Sequence, residues 1–181
     1  EYEIIPSHVD EESFTEQNPA QHVMALSKAK ALKVAEMVVE GLIVGADTIV
    51  VLNGQILGKP STPQEATRML QKLSNKTHEV YTGFCLIEKP SNRIASDYEK
   101  TSVHFRELYP WEIENYVNTQ NPMDKAGAYG IQDQSAVFAD RIEGCFYNVV
   151  GFPLAKFYVT LLELLKKNKQ SHNLLANHRV T

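Results

Sequence analysis

An α/β fold built on one twisted, mixed sheet follows from three features of the sequence. A Val- and Ile-rich run from Leu42 to Leu52 closes on Asn53-Gly54, the two-residue signature of a tight hairpin. Thr62, Pro63 and Glu65 set a helix cap, a first-turn proline and a capping-box glutamate ahead of Ala66, Met69, Leu70 and Leu73 at helical spacing. From Tyr98 to Arg106, Glu99, Thr101, Val103 and Phe105 alternate with Tyr98, Lys100, Ser102 and His104, a strand with two unlike faces. Helices and strands are therefore interleaved, and the hairpins among them exclude a purely parallel sheet.

The remaining elements follow in chain order. Tyr2-Glu3-Ile4-Ile5 ends at Pro6 and predicts a short strand, followed by the acidic run Asp10-Glu11-Glu12. Asn18 and Pro19 open a helix that is expected to reach about Glu40, with Val23, Ala31, Val34 and Val38 in its buried stripe and Gly41 closing it. Leu42 to Leu52 predicts a central buried strand, paired across the hairpin with Gln55-Ile56-Leu57. Val80 to Ile87 predicts a strand joined to the Tyr98 strand through Glu88 to Ala95. Pro110 opens a short helix with Ile113, Tyr116 and Val117 on one face, and the glycine-rich Gly127 to Gly130 comes next. Strands are expected near Ala136 to Ile142 and Tyr147 to Val150. Pro153 then starts a last helix with Leu154, Phe157, Tyr158, Leu161, Leu162 and Leu165 apolar. A single domain over residues 1–165 and a frayed polar tail over 166–181 is the expected organisation.

Composition bounds the function. With 181 residues and 43% hydrophobic content the chain can bury a core as one domain or as two lobes sharing a sheet. A formal charge of −4 leaves no broad basic face, so no nucleic-acid polymer is expected as partner, whereas a small anion is compatible. Cys85 and Cys145 match no metal spacing and are too few to staple the domain, which suits reduced thiols in the cytoplasm. No apolar run approaches the roughly 20 residues of a membrane span, and Glu1-Tyr2-Glu3 is not a signal peptide. A soluble intracellular protein is expected.

One carboxylate stands out. Asp47 lies within Val44-Gly45-Ala46-Asp47-Thr48-Ile49-Val50, where burial is costly unless something compensates the charge. Either it binds a ligand beside the small Gly45 and Ala46, or it sits at a strand end and accepts backbone hydrogen bonds. Lys59, in Gly58-Lys59-Pro60, follows one hairpin later. The spacing from Gly54 is one residue short of a phosphate-binding P-loop, and Pro60 stands where that loop needs Ser or Thr. Lys59 is then a solvated turn lysine or a cation placed beside Asp47. Glu11 and Lys28, taken singly, look like an acidic loop and a helix-face lysine. Asp124 to Gln132 mixes charges, small residues and an amide; it is either a ligand-approaching loop or a structural turn capped by aspartate. The six histidines form no His-Glu-x-x-His pair and no glycine-flanked serine elbow is present, which sets aside zinc and serine hydrolases.

Taken in order, Gly45-Ala46-Asp47-Thr48-Ile49-Val50, Gly58-Lys59-Pro60, His78-Glu79-Val80-Tyr81-Thr82-Gly83, Asp124-Lys125-Ala126-Gly127-Ala128-Tyr129-Gly130-Ile131-Gln132 and Asn148-Val149-Val150-Gly151-Phe152-Pro153-Leu154 resemble the signature of the Maf family of nucleotide pyrophosphatases. Val9-Asp10-Glu11 and Met24-Ala25-Leu26-Ser27-Lys28-Ala29 match two further motifs. The resemblance implies a mixed sheet in two lobes around a central cleft, the fold of inosine triphosphate pyrophosphatases, often as a homodimer. It implies hydrolysis of a nucleoside triphosphate to monophosphate and pyrophosphate. Asp47 is the implied proton acceptor, with Glu11, Lys28, Lys59 and Gln132 around it. A divalent metal, Mg²⁺ or Mn²⁺, is implied on Glu11 or Asp47, with Lys28 and Lys59 on the phosphates. Gln132, with Thr48 contributing, is implied to read the O4 and N3–H edge of uracil or thymine. The Asp124 to Gln132 block resembles the branch that prefers dTTP and UTP, although Asp133 and Ser135 stand where that branch commonly has glycine. This sequence opens at the family's second strand, after the opening strand, helix and Ser-x-Ser-Pro-Arg-Arg loop, so the expectation is either a piece of a longer chain or a protein that lacks part of its phosphate site and binds without hydrolysing. The expected roles are nucleotide-pool sanitation and division arrest; the rival is a catalytically silent nucleotide-binding regulator of cell division.

Overall fold

The computed structural model describes residues 2–176. Five strands form one sheet in the order β2-β1-β3-β4-β5: β1 Gly41–Leu52, β2 Gln55–Leu57, β3 Thr77–Lys89, β4 Arg93–Phe105 and β5 Ala139–Glu143. Helices α1 Pro19–Ala35, α2 Pro63–Leu73, α3 Pro110–Asn118, α4 Phe146–Val150 and α5 Leu154–Ala176 alternate with them, which is the expected α/β class. Every strand pairing between described residues is antiparallel, so the parallel member of a mixed sheet is not among them.

The local signals that start elements worked as chemistry dictates. Thr62 Oγ1 accepts the Glu65 N–H at 3.2 Å and Asn18 Oδ1 accepts the N–H of Ala20 at 3.0 Å, so α2 and α1 begin where their caps sit. Asn53 and Gly54 both take positive φ, which turns β1 into β2 in two residues. Four expectations are corrected. Tyr2 to Ile5 pairs with no described strand, and Tyr2 and Ile4 are exposed. Helix α1 stops at Ala35: Met37 N–H bonds Val34 O, and the chain re-extends at Gly41, whose φ is +128°. Tyr147 to Val150 is helix α4, because Gly144 and Gly151 bend the chain on either side. The Asn148 side chain then turns inward and donates to Val80 O and Thr101 Oγ1, both at 3.0 Å. Likewise Gln134–Phe138 is a 3₁₀ turn, capped by Asp133, that delays β5 to Ala139.

The two sheet faces are covered unequally. On one face α1 lies almost flat against β1 and β3, because Gly45 and Gly83 present no side chain there. A Cβ at Gly45 would stand 2.3 Å from Ser27 O, and one at Gly83 2.4 Å from Val23 O. The other face carries two separate packings. Val50, Leu52, Val80 and Val103 pack under α2 and α3, while Phe84 and Leu86 pack under α5 at the far end. The short β2 pairs only with Val50–Leu52, so the outer edge of β1 from Gly41 to Ile49 has no strand partner among the described residues. That open edge leads into the cleft.

Beside the cleft, His78 on β3 is 1% exposed and its Nε2 lies 2.8 Å from Tyr129 Oη. Burial, with His104 a minor contributor, pushes its pKa down to about 4 from 6.5. The native state thus holds His78 neutral while the unfolded chain takes up a proton, so stability present above pH 6.5 is lost as pH falls toward 4. The loss is roughly 3 kcal/mol. Urea midpoints measured from pH 7 to pH 4 should fall more steeply for the wild type than for His78→Gln, which keeps a donor for Tyr129 and cannot titrate.

Candidate active site

Alternation along β1 decides which side chains meet. Asp47 lies on the α1 face, opposite Gly83 across the ladder, and the missing side chain there leaves its carboxyl room. Its side chain is 9% exposed. On α1, positions four apart face it: His22, Leu26 and Lys30 all line the cleft. Lys30 Nζ donates to Asp47 Oδ1 at 2.8 Å and pairs with Glu11 Oε1 at 2.7 Å, so one ammonium joins two carboxylates. Glu11 reaches this point from a 3₁₀ turn, Glu11–Ser13, capped by Asp10.

The electrostatics are strained in opposite senses. Burial holds the Asp47 carboxyl above its ordinary value, and Lys30 offsets only part of that. Burial pushes the Lys30 ammonium down, but Asp47 and Glu11 together outweigh it and hold it above its ordinary value. The pair therefore keeps a cation ready and a carboxylate short of solvation.

Around this centre the cleft encloses about 790 Å³. Its opposite wall is the turn Gly58-Lys59 and the loop from Asn121 to Asp133. Gly127 N–H donates to Gly58 O at 3.0 Å, which ties the two together. The conformation at Gly127 is left-handed, φ +68°, and a Cβ there would stand 3.0 Å from the Val50 side chain, so glycine is required on both counts.

The sequence-derived residues fall out as follows. Asp47, Glu11, Lys59, Thr48 and Gln132 all line the cleft. Lys28 does not: it is exposed and absent from the lining. Two residues before Lys30, it is rotated about 200° around the helix. Lys30 takes the place foreseen for it. Thr48 lines the same cavity, but its side chain leaves β1 on the face opposite Asp47. Its hydroxyl lies 2.9 Å from Thr82 Oγ1 and donates to Gly151 O at 3.3 Å, so it anchors the end of α4. His22 was overlooked, as was Lys30, and its buried Nδ1 has no hydrogen-bond partner. The signal for both was the stripe through Val23 and Ala31, whose phase places 22, 26 and 30 along one margin.

The donor set suits a divalent cation sparingly. Among the described residues no group of three or more His, Cys, Asp or Glu side chains is placed so that it could hold a metal ion. Glu11 and Asp47 nevertheless converge on a single cation, Lys30 Nζ, and two carboxylates completed by phosphate oxygens are an ordinary environment for Mg²⁺ or Mn²⁺.

Fold and cleft together define an α/β protein with an open cleft in which a buried carboxylate, Asp47, is paired with the ammonium of Lys30. The chain belongs to the Maf family: the family model described as Maf-like protein matches residues 1–164. A dTTP/UTP pyrophosphatase of Carboxydothermus hydrogenoformans is 48% identical over 162 residues, covering 90% of this chain and 87% of the relative. Proteins of the same name from Caldicellulosiruptor bescii and Clostridium botulinum (strain Kyoto / Type A2) are each 45% identical over 168 residues, 91% of this chain and 84% and 87% of theirs. Among the described residues no helix is long and apolar enough to cross a membrane.

Proposed function

We infer that this chain is a nucleoside triphosphate pyrophosphatase that splits dTTP or UTP into the monophosphate and pyrophosphate. The observation that carries the reading is Lys30 bridging Asp47 and Glu11 at the open edge of β1, in a Maf protein whose relatives bear that name. A triphosphate entering the cleft brings acceptors for Lys30 and Lys59 and draws Lys30 away from Asp47. His22 Nδ1, buried without a partner, gains one from the same anion. Asp47, freed of its ammonium, accepts a proton from water as the water oxygen bonds the α-phosphorus. The bond from that phosphorus to the bridging oxygen breaks, and pyrophosphate leaves with the electron pair. Glu11 and Asp47 are the residues that would hold a divalent cation, Mg²⁺ or Mn²⁺, which would neutralise part of the triphosphate charge. Gln132, exposed on the far wall, offers a donor and an acceptor to O4 and N3–H of the base.

The test is product analysis across UTP, dTTP, CTP, dCTP, ATP and GTP. Monophosphate with pyrophosphate, fastest from UTP or dTTP, is the expected result. Diphosphate with inorganic phosphate would overturn the chemistry. Nucleotide binding without any product would favour the silent regulator of cell division instead.

Two lysines separate the proposed site from its neighbourhood. Lys30→Met should lower kcat/KM about 10²-fold, the scale of one charge-assisted contact to a developing anion, while Lys28→Met should stay within about twofold, as exposed surface changes do. Steady-state kinetics on the two variants reads the difference directly. A homodimer working in the cytoplasm completes the reading. Phe146, Tyr147, Leu154 and Tyr158 expose apolar surface on α4 and the start of α5, and sedimentation at the mass of one chain would remove the dimer from it.

A further inference from the structure

Three lysines line the cleft: Lys30, Lys59 and Lys125. Lys125 plays no part in the pyrophosphatase reading above, yet its main chain is fixed beside the turn that carries Lys59. Lys125 N–H donates to Pro122 O at 3.2 Å and Lys125 O accepts the Ala128 N–H at 3.1 Å, while Gly127 N–H reaches Gly58 O at 3.0 Å. The side chain runs past Gly130, where a Cβ would stand 2.7 Å from Lys125 Cε and 2.8 Å from Cδ, so the glycine makes room for the stem. At its end Nζ donates to Asn121 O at 2.7 Å and to Asp124 Oδ1 at 2.6 Å. Asn121 and Asp124 line the cleft as well, which places the ammonium at its wall.

This attachment is easily broken. The Asp124 side chain is 79% exposed and that of Lys125 32%, and an ion pair so open to water holds its partners weakly. Lys125, with Lys59 a lesser contributor, holds the Asp124 carboxyl below its ordinary value, so Asp124 stays ionised within electrostatic reach of both lysines. A triphosphate brings several negative charges and many acceptor oxygens, which one exposed carboxylate cannot match. The long, flexible lysine stem lets the ammonium change partner while the main chain stays in place.

We propose that Lys125 is a third phosphate-binding cation, parked on Asp124 and handed to the phosphate chain beside Lys59 when a nucleotide binds. The proposal rests on the reading that a nucleoside triphosphate occupies this cleft. Asp124 is then a competitor of the substrate, because it holds the ammonium that the phosphates need. The two residues of one ion pair therefore act on binding with opposite signs. A pair that merely braced the loop would weaken binding whichever partner was removed.

The experiment measures, by calorimetry with Mg²⁺ present, the affinity of inorganic pyrophosphate and of α,β-methylene-UTP, whose carbon bridge resists cleavage. Wild type, Lys125→Met, Lys125→Arg, Asp124→Asn and the double variant of Asp124→Asn with Lys125→Met are compared, with melting curves to confirm that each is folded. Lys125→Met should weaken both ligands about tenfold, the scale of one charge-assisted contact, and Lys125→Arg should recover part of the loss. Asp124→Asn should tighten both about threefold, the strength of the exposed ion pair it removes. In the Lys125→Met background that gain should shrink, because no ammonium is left to release. Unchanged affinities in folded Lys125→Met, or weakening of the nucleotide but not of pyrophosphate, would overturn the proposal. So would weaker binding in Asp124→Asn, which would make the pair a structural tie, or an equal gain in both backgrounds, which would reduce Asp124 to simple repulsion. If the wild type binds the analogue yet releases no pyrophosphate from UTP, the enzymatic reading falls while the affinities still judge Lys125; if it binds neither ligand, both fall.

Discussion

Asp47→Asn should abolish most turnover without weakening the fold. A positioned general base contributes typically about 10²- to 10⁴-fold, and asparagine keeps the shape of the side chain while losing its capacity to take a proton. A drop of at least about 10²-fold in kcat for pyrophosphate release is therefore expected, with nucleotide binding retained. The stability half of the prediction follows from sign. Burial holds the Asp47 carboxyl above its ordinary value, so at neutral pH the ionised group is less favourable folded than unfolded. Replacing it by a neutral amide removes that penalty, and Lys30 keeps Glu11 as partner. The melting temperature at pH 7 should hold or rise. A marked fall would mean that the Lys30–Asp47 pair is a structural tie, and unchanged turnover would move the base elsewhere. Active-site groups commonly trade stability for function in this way.

What could be read from the sequence, and what could not, divides along a physical line. Asp47 was conspicuous because a charge in an apolar run contradicts its surroundings, and that contradiction needs no knowledge of the fold. Caps and turns were legible for a similar reason: Asn18, Thr62 and Asn53-Gly54 act within four residues of themselves. Helix phase was harder. In Ser27-Lys28-Ala29-Lys30-Ala31 small residues surround both lysines, so the apolar stripe scarcely says which one points inward. The decision comes from Gly45 and Gly83, residues distant in sequence that let α1 settle with Ser27 and Ala31 downward. Thr48 shows the same dependence. Its neighbour in sequence is on the other face, so adjacency to Asp47 said nothing of shared contacts. Helix α4 was misread because Tyr147-Asn148-Val149-Val150 has β-branched content, and only the tertiary bonds of Asn148 reward a helical turn there.

That glycine window sets the second large effect. Gly83→Ala should destabilise the protein by about 3 kcal/mol or more, at or beyond the upper end of ordinary overpacking, because the new methyl meets main chain and not a flexible side chain. The intruding Cβ would lie 2.4 Å from Val23 O and 2.5 Å from its carbonyl carbon. Neither can rotate aside; α1 must lift as a body. For a chain of this size each kcal/mol lowers the melting temperature by about 2–4 °C, so a fall near 10 °C is expected. Gly58→Ala is the matched control, since nothing lies within 4 Å of a Cβ there, and its melting temperature should change little. Lifting α1 also carries Lys30 and His22 away from Asp47, which ties a packing defect to the chemistry. Gly83→Ala should therefore lose kcat/KM for UTP even at temperatures where calorimetry shows it fully folded. Were it to melt late and work normally, α1 would not be the element that presents the ammonium to the buried carboxylate, and the assignment of Lys30 would fall with it.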